Sequence, residues 1–342
     1  MKVLVTGTDG YIGVLLADVL AKRGHHVTGL DAGFYRDGLL YSGVLPPPRQ
    51  IKQDIRDITH DDLRGYDAVV HLAELSNDPL GQHNPELTFQ INHRGSVALA
   101  TKCKEVGIAR FVYTSSCSVY GVASSENVTE ISPTNPQTAY AQCKVLVERD
   151  VSALADDNFS PTFLRNATAF GASPRMRFDI VLNNLAGLAW TTKEIKMISD
   201  GTPWRPLVHV LDICDAVACV LDAPRKIVHN QVFNVGNNSQ NYRVREVAEI
   251  VAEVFPGCQL TFGANGADNR SYRVSFDKIN SQLPGFHCRR DAHAGALELR
   301  GVFEKIQLTR EIFEFRAFTR LKQLEHLLRT AEIDDNLHWR TT

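Results

Sequence analysis

A chain of 342 residues with 44% hydrophobic and 22% charged side chains carries enough apolar material for a substantial core. Its formal net charge of -2 leaves no basic excess for nucleic acid or an anionic membrane, so the expected partner is a small molecule. The 7 cysteines form no CxxC pair, which points to free thiols in a reducing compartment and to neither a disulfide nor a metal framework. Met1 leads directly into Lys2-Val3-Leu4-Val5 without the basic flank and apolar run of a leader, and no stretch reaches the roughly 18 to 20 apolar residues of a membrane span. A cytoplasmic protein is expected.

In chain order, Val3-Leu4-Val5 reads as a strand, Tyr11 to Arg23 as a helix and His26 to Leu30 as a second strand, a βαβ opening. The alternation continues through strands at 68–72, 111–114 and 162–164, with helices at 85–106 and 139–154 between them. Continuous apolar strands separated by helices predict an α/β fold with a parallel sheet covered on both faces. After Gly171 the regularity loosens, and a strand returns at Gln231 to Gly236. Loops are expected at 236–241 and 263–269. Near the end, Phe318, Leu321, Leu324, Leu327 and Leu328 form a helical apolar stripe that predicts packing onto the parent domain.

Directly after the first strand, Gly7-Thr8-Asp9-Gly10-Tyr11-Ile12-Gly13 opens a helix. Glycines there allow a tight turn and close backbone approach to a diphosphate, which the free amides and helix dipole attract. Asp31, at the end of the second strand, is placed to accept from adenosine ribose hydroxyls and would repel a 2′-phosphate, so NAD is favoured over NADP, with Arg36 close enough in sequence to weigh against that. Asp54 either accepts from the adenine amino group or belongs to a surface turn.

Tyr140 and Lys144 lie four residues apart at the start of a predicted helix and therefore share a face. A neighbouring ammonium favours the phenolate, which suits Tyr140 to take a hydroxyl proton as hydride leaves the adjacent carbon. The hydroxyl-rich run Thr114-Ser115-Ser116-Cys117-Ser118 ends a strand at the carboxyl edge of the sheet, where open α/β sheets bind ligands.

The ordered set GTDGYIG, LDAG, VVHLAE, TSSCSVYG, YAQCK and HVLD resembles the extended short-chain dehydrogenase/reductase family of NAD-dependent nucleotide-sugar epimerases and dehydratases. The resemblance spans at least residues 1–280. It implies a Rossmann-type doubly wound parallel sheet with a smaller C-terminal substrate-binding lobe. Residues 1–170 would form the NAD-binding domain, with a returning segment near 208–236. Residues 171–342 would be mainly the lobe and a helical tail. It further implies that Ser116 holds the reacting hydroxyl, that Tyr140 is the acid/base, and that Lys144 binds the nicotinamide ribose. Gly7, Asp9, Gly10, Tyr11, Ile12, Gly13, Asp31, Asp54, Ile55, Leu72 and Ala73 would complete the cofactor site. A homodimer through helices 85–106 and 139–154 is also implied.

Several positions depart from the family pattern. Relatives that catalyse 4,6-dehydration carry acidic residues where this chain has Cys117 and Ser118, which tilts the expectation toward an epimerase working through a keto sugar. A dehydratase using Cys117 or Glu74 for proton transfer is the alternative, each residue having a plain reading as a buried thiol or a solvated carboxylate. A sugar reductase and a non-catalytic NAD sensor are further readings. Thr168 replaces a common asparagine, so the handle of the substrate is a nucleoside diphosphate or a smaller nucleoside. Ser116, Ser118, Thr168, Asn184, Arg205 and Arg270 are the substrate-binding candidates, the arginines because a guanidinium offers a fork to phosphate oxygens. Arg175 and Arg177 are weaker ones.

Overall fold

The computed structural model describes residues 1–44, 49–76, 84–122, 127–264 and 271–340. Its strands are β1 Lys2–Thr6, β2 His26–Asp31, β3 Arg49–Lys52, β4 Ala68–His71, β5 Arg110–Ser116, β6 Asn127–Val128 and β7 Ser160–Asn166. They continue with β8 Thr168–Phe170, β9 Glu194–Met197, β10 Trp204–His209, β11 Gln231–Val235, β12 Asn241–Arg243, β13 Gln259–Phe262 and β14 Arg273–Val274.

A 7-stranded sheet runs in the order β11-β7-β5-β4-β1-β2-β3 with every neighbouring pair parallel. Strand alternation sends successive side chains to opposite faces. Val3, Val5, Val70 and Val112 pack into one apolar cluster. Leu4, Val69, Phe111 and Tyr113 pack into another on the far side. This double burial is why the strands read as unbroken apolar runs. Arg49–Lys52 escaped the sequence reading because it is a largely exposed edge strand with a basic residue at each end and no apolar run.

The strand order reverses between β1 and β4, and the crevice outside their carboxyl ends is where a doubly wound sheet binds ligands. Three smaller sheets, β12-β10-β8, β13-β9 and β14-β6, accompany the large one, and β8 and β10 contribute Thr168, Ala169 and Arg205 to the wall of that crevice. The expected helix over 85–106 is present in three pieces, Pro85–Thr88, a wider π-turn at Phe89–Gly95, and Ser96–Glu105. Within the widened turn, Asn92 is fully buried and its amide exchanges hydrogen bonds with both backbone groups of Leu75, at 2.8 and 2.9 Å. This fixes the chain just after Glu74.

The C-terminal stripe folds as the helix Arg320–Arg329 and buries Leu324 and Leu327. Beyond it, the Trp339 indole stacks on Phe34 at 5.9 Å and donates to the Ala32 carbonyl at 2.6 Å, so the tail is pinned to the loop after β2. Among the described residues no helix is long and apolar enough to cross a membrane.

Candidate active site

A cleft of about 1180 Å³ lies at the carboxyl ends of the sheet strands. One end is the glycine turn. Gly7 has φ +82°, and a Cβ there would sit 2.9 Å from the Ala73 nitrogen; a Cβ on Gly13 would sit 2.0 Å from the Gly7 oxygen. Only glycine fits either position, so the strand-to-helix turn stays close enough for backbone amides to face the cleft. Gly10, Tyr11 and Ile12 line it beside them. The Tyr11 hydroxyl itself is spent on the Gly171 carbonyl at 2.7 Å, leaving its backbone as its contribution.

Asp31 lines the same end. Its carboxylate accepts from the Gly33 and Asp9 amides at 2.7 and 2.9 Å, which aims it across the turn. Burial first, and the nearby Asp9 second, push its pKa up to about 6. The carboxylate of Asp9 is not on the cleft wall; it accepts from Arg36 Nε at 2.6 Å. Arg36 is thereby tied down, and Asp9, expected among the cofactor residues, instead spends its amide on Asp31 and its carboxylate on Arg36. Asp54 does two things at once: it caps the short turn Ile55–Asp57 and holds Arg56 at 2.7 Å, while facing the cleft with Ile55. Leu72 and Ala73 complete this wall. Two clash-limited glycines, amides at a helix start and an acceptor one strand away suit the diphosphate and ribose of a dinucleotide.

At the other end, Thr138 caps the helix Ala139–Ser152 by accepting from the Ala141 amide at 3.2 Å, which sets Tyr140 in its first turn. Tyr140, Lys144, Ser116 and Ser118 all face the cleft. The Lys144 ammonium lies 5.4 Å from the Tyr140 ring centroid and donates to the Thr114 carbonyl at 2.5 Å. It also forms a tight ion pair with Glu74, whose side chain is 2% exposed and which accepts from the Tyr113 hydroxyl at 2.5 Å. Burial works to lower the Lys144 pKa, but Glu74 and Tyr140 outweigh it and hold it above the ordinary lysine value. Burial in turn pushes the Glu74 carboxyl up, against the pull of Lys144.

Cys117 stands apart from this group. Its thiol is buried in the core, points to the Arg165 carbonyl at 3.2 Å and is absent from the cleft wall; burial pushes its pKa up, against formation of a thiolate. The short turn Cys117–Tyr120 rotates it inward while Ser118 faces the cleft. Of the substrate-side candidates, Thr168 and Arg205 line the cleft, Arg205 lying 5.8 Å from the Tyr272 ring. Asn184 does not, because its amide donates to the Phe178 carbonyl at 2.9 Å. Arg270 lies outside the described residues.

One of the weaker candidates, Arg177, and two residues not among the candidates, Asp179 and Arg320, belong to the cleft wall. Arg177 and Asp179 line the cleft as an ion pair at 2.8 Å, and Arg320 reaches it from the C-terminal helix. Arg177 sat in an arginine-rich run that could have drawn more weight; nothing local marked Arg320.

Residues 3–236 match the NAD dependent epimerase/dehydratase family. The UDP-glucose 4-epimerase of Lactobacillus helveticus is 30% identical over 280 residues, covering 74% of this chain and 82% of the relative. UDP-glucuronic acid decarboxylase 1 of Arabidopsis thaliana is 27% identical, covering 83% of this chain and 65% of its own length. Among solved structures, MoeE5 in complex with UDP-glucuronic acid and NAD superposes with a TM-score of 0.77 at 25% identity, covering 89% of this chain and 99% of that one. The dTDP-glucose 4,6-dehydratase DesIV from Streptomyces venezuelae shares the fold, with a TM-score of 0.78 at 23% identity over 89% of this chain and 97% of its own. The chain belongs to the NAD dependent epimerase/dehydratase family of extended short-chain dehydrogenase/reductases, as an enzyme that uses NAD.

Proposed function

We propose that the protein is an epimerase acting on a nucleotide-linked sugar through a transient keto intermediate, with the hydride returned in the same catalytic cycle. Bound NAD supplies the acceptor and later the donor of that hydride. In this reading Ser116 holds the reacting hydroxyl and Tyr140 takes its proton. Lys144 lends positive charge to the phenolate and binds the cofactor ribose. The same proton is handed back by Tyr140 when the ketone is reduced on its other face. Thr168 and Arg205, on the cleft wall, are assigned to the substrate and its phosphates.

The observation that carries this choice is the state of the carboxylates and the thiol. Dehydration needs a further acid or base beside a second sugar carbon. Each carboxylate described on the cleft wall already has a partner: Asp31 the Gly33 and Asp9 amides, Asp54 the Arg56 guanidinium, Glu74 the Lys144 ammonium, Asp179 the Arg177 guanidinium. Cys117 faces the core. Tyr140 is left as the proton carrier, and one proton carrier suffices for oxidation and return.

Incubation with nucleotide sugars in deuterated water, without added cofactor, tests the reading by mass spectrometry. An isomeric product supports it. Loss of water would replace it with dehydration, and conversion that requires stoichiometric external NAD or NADH would replace it with a reductase or dehydrogenase. The homodimer through helices 85–106 and 139–154 is part of the proposal, and a monomeric mass in solution would remove it.

A further inference from the structure

We infer that Arg320, carried by the C-terminal helix, is a binding residue for the diphosphate of the dinucleotide cofactor. The inference rests on the dinucleotide role of the cleft and not on the epimerase reading.

Arg320 lies far beyond the family match, which ends at residue 236. It is 3% exposed, yet it lines the cleft with Thr319 and Leu321. Among the described residues its guanidinium makes no hydrogen bond and no ion pair; its backbone amide alone is engaged, donating to Asp179 at 3.2 Å. What holds the side chain is the Tyr35 ring, 3.9 Å from the guanidinium carbon. A buried cation without an acceptor is costly. Burial lowers the Arg320 pKa to about 10, with Arg177 adding repulsion against the opposing pull of Tyr35, Asp179 and Asp31.

Local charge points the same way. Arg177 and Arg320 are electrostatic neighbours, and the Asp179 carboxylate is bonded through both its oxygens to the Arg177 guanidinium. Asp31 acts on Arg320 without a hydrogen bond to it, so among the described residues the Arg320 guanidinium has no bonded counter-charge in this low-dielectric wall, and an anion in the cleft would supply one. The helix adds to it: its first residues face the cleft, and Thr319 provides no side-chain cap for the start of Arg320–Arg329.

The anion belongs to the cofactor because of what fastens this segment. Gln323 donates to the Phe34 carbonyl at 3.0 Å and Trp339 to that of Ala32 at 2.6 Å, both in the loop that follows Asp31. Arg320 is also within electrostatic reach of Asp31 and Tyr35. It lines the cleft near Asp31, whose carboxylate is held by the Asp9 amide of the glycine turn, and a planar fork there suits phosphate oxygens. Substrate phosphates are assigned to Arg205 at the Tyr272 end.

Binding titrations of the full-length chain, freed of nucleotide, with ADP, adenosine and UDP test the assignment. Arg320→Gln is expected to weaken ADP by about tenfold to a hundredfold, as loss of a charged hydrogen bond does. Adenosine and UDP should bind as to wild type, and the unliganded variant should melt no lower. Arg320→Lys keeps the charge without the fork and should lose about severalfold in ADP affinity; it also serves if the glutamine variant fails to fold. Unchanged ADP affinity would overturn the inference. Equal losses for ADP and adenosine would assign Arg320 to holding Tyr35, and a loss for UDP alone would move it to the substrate.

Discussion

Replacing Glu74 with alanine is the substitution whose consequence follows most directly from the active site. Its side chain is 2% exposed, its partner Lys144 is 5% exposed, and the two are in direct contact. Truncating one member of a buried pair leaves the other charge uncompensated, at a cost of about 3 to 5 kcal/mol. The Thr114 carbonyl, 2.5 Å from the ammonium, and the Tyr113 ring at 4.6 Å cushion Lys144, which favours the lower end of that range. With about 2 to 4 °C per kcal/mol for domains somewhat smaller than this one, the melting temperature should fall by about 6 to 12 °C. The sign with pH is definite. Because the Lys144 pKa is raised in the folded chain, its stabilising contribution is complete below the ordinary lysine pKa and fades as pH rises through the raised value. The Lys144 part of the gap between wild type and variant should therefore persist at neutral pH and be lost only in strong alkali. The raised Glu74 pKa makes the gap larger in acid, where that carboxyl is protonated in both states, than above the ordinary carboxyl range. Glu74→Gln retains a carbonyl acceptor for Tyr113 and Lys144 and should lose less than the alanine variant. Calorimetry of the three proteins at neutral and alkaline pH is the assay. An alanine variant that melts within about 1 °C of wild type would show that Lys144 does not depend on its partner, refuting the reasoning.

Other expectations concern turnover and cofactor. Tyr140→Phe should lose about a hundredfold to ten-thousandfold in turnover while binding NAD normally, since the phenol moves the proton but does not build the cradle; steady-state rates beside NAD titrations check both halves. Cys117→Ala should change turnover less than about threefold, because the thiol faces the core; a loss comparable to that of Tyr140→Phe would revive Cys117 as an acid/base. The Asp31 pKa of about 6 makes its carboxylate the dominant form at pH 7. Ribose hydroxyls donate to that charged form, so NAD affinity should fall as pH drops below about 6, and a flat profile between pH 7 and 5 would remove Asp31 from the contact. Gly13→Ala places a methyl 2.0 Å from the Gly7 oxygen and should abolish NAD binding or lower the melting temperature by several degrees, read by thermal shift with and without NAD.

Sequence by itself determined whatever depends on neighbours along the chain. The glycine turn, the parallel strands and the helical spacing of Tyr140 and Lys144 follow from local sterics, double-sided burial and a period of 3.6 residues, so they could be read directly. Asp31 was legible because it ends the strand next to the turn. The tertiary structure decided which partners those groups meet. Glu74 and Lys144 are distant in sequence, and the adjacency of β4 to β5 in the sheet brings the segment after His71 beneath the helix that carries Lys144. A solvated carboxylate and a buried counter-ion look the same in a sequence. The inward rotation of Cys117 depends on one short turn, and the arrival of Arg320 depends on how a distant helix docks against the loop after Asp31. Backbone geometry is written locally, whereas burial and charge pairing are properties of the packed chain, and here they set the proton carriers and the electrostatics of the cleft.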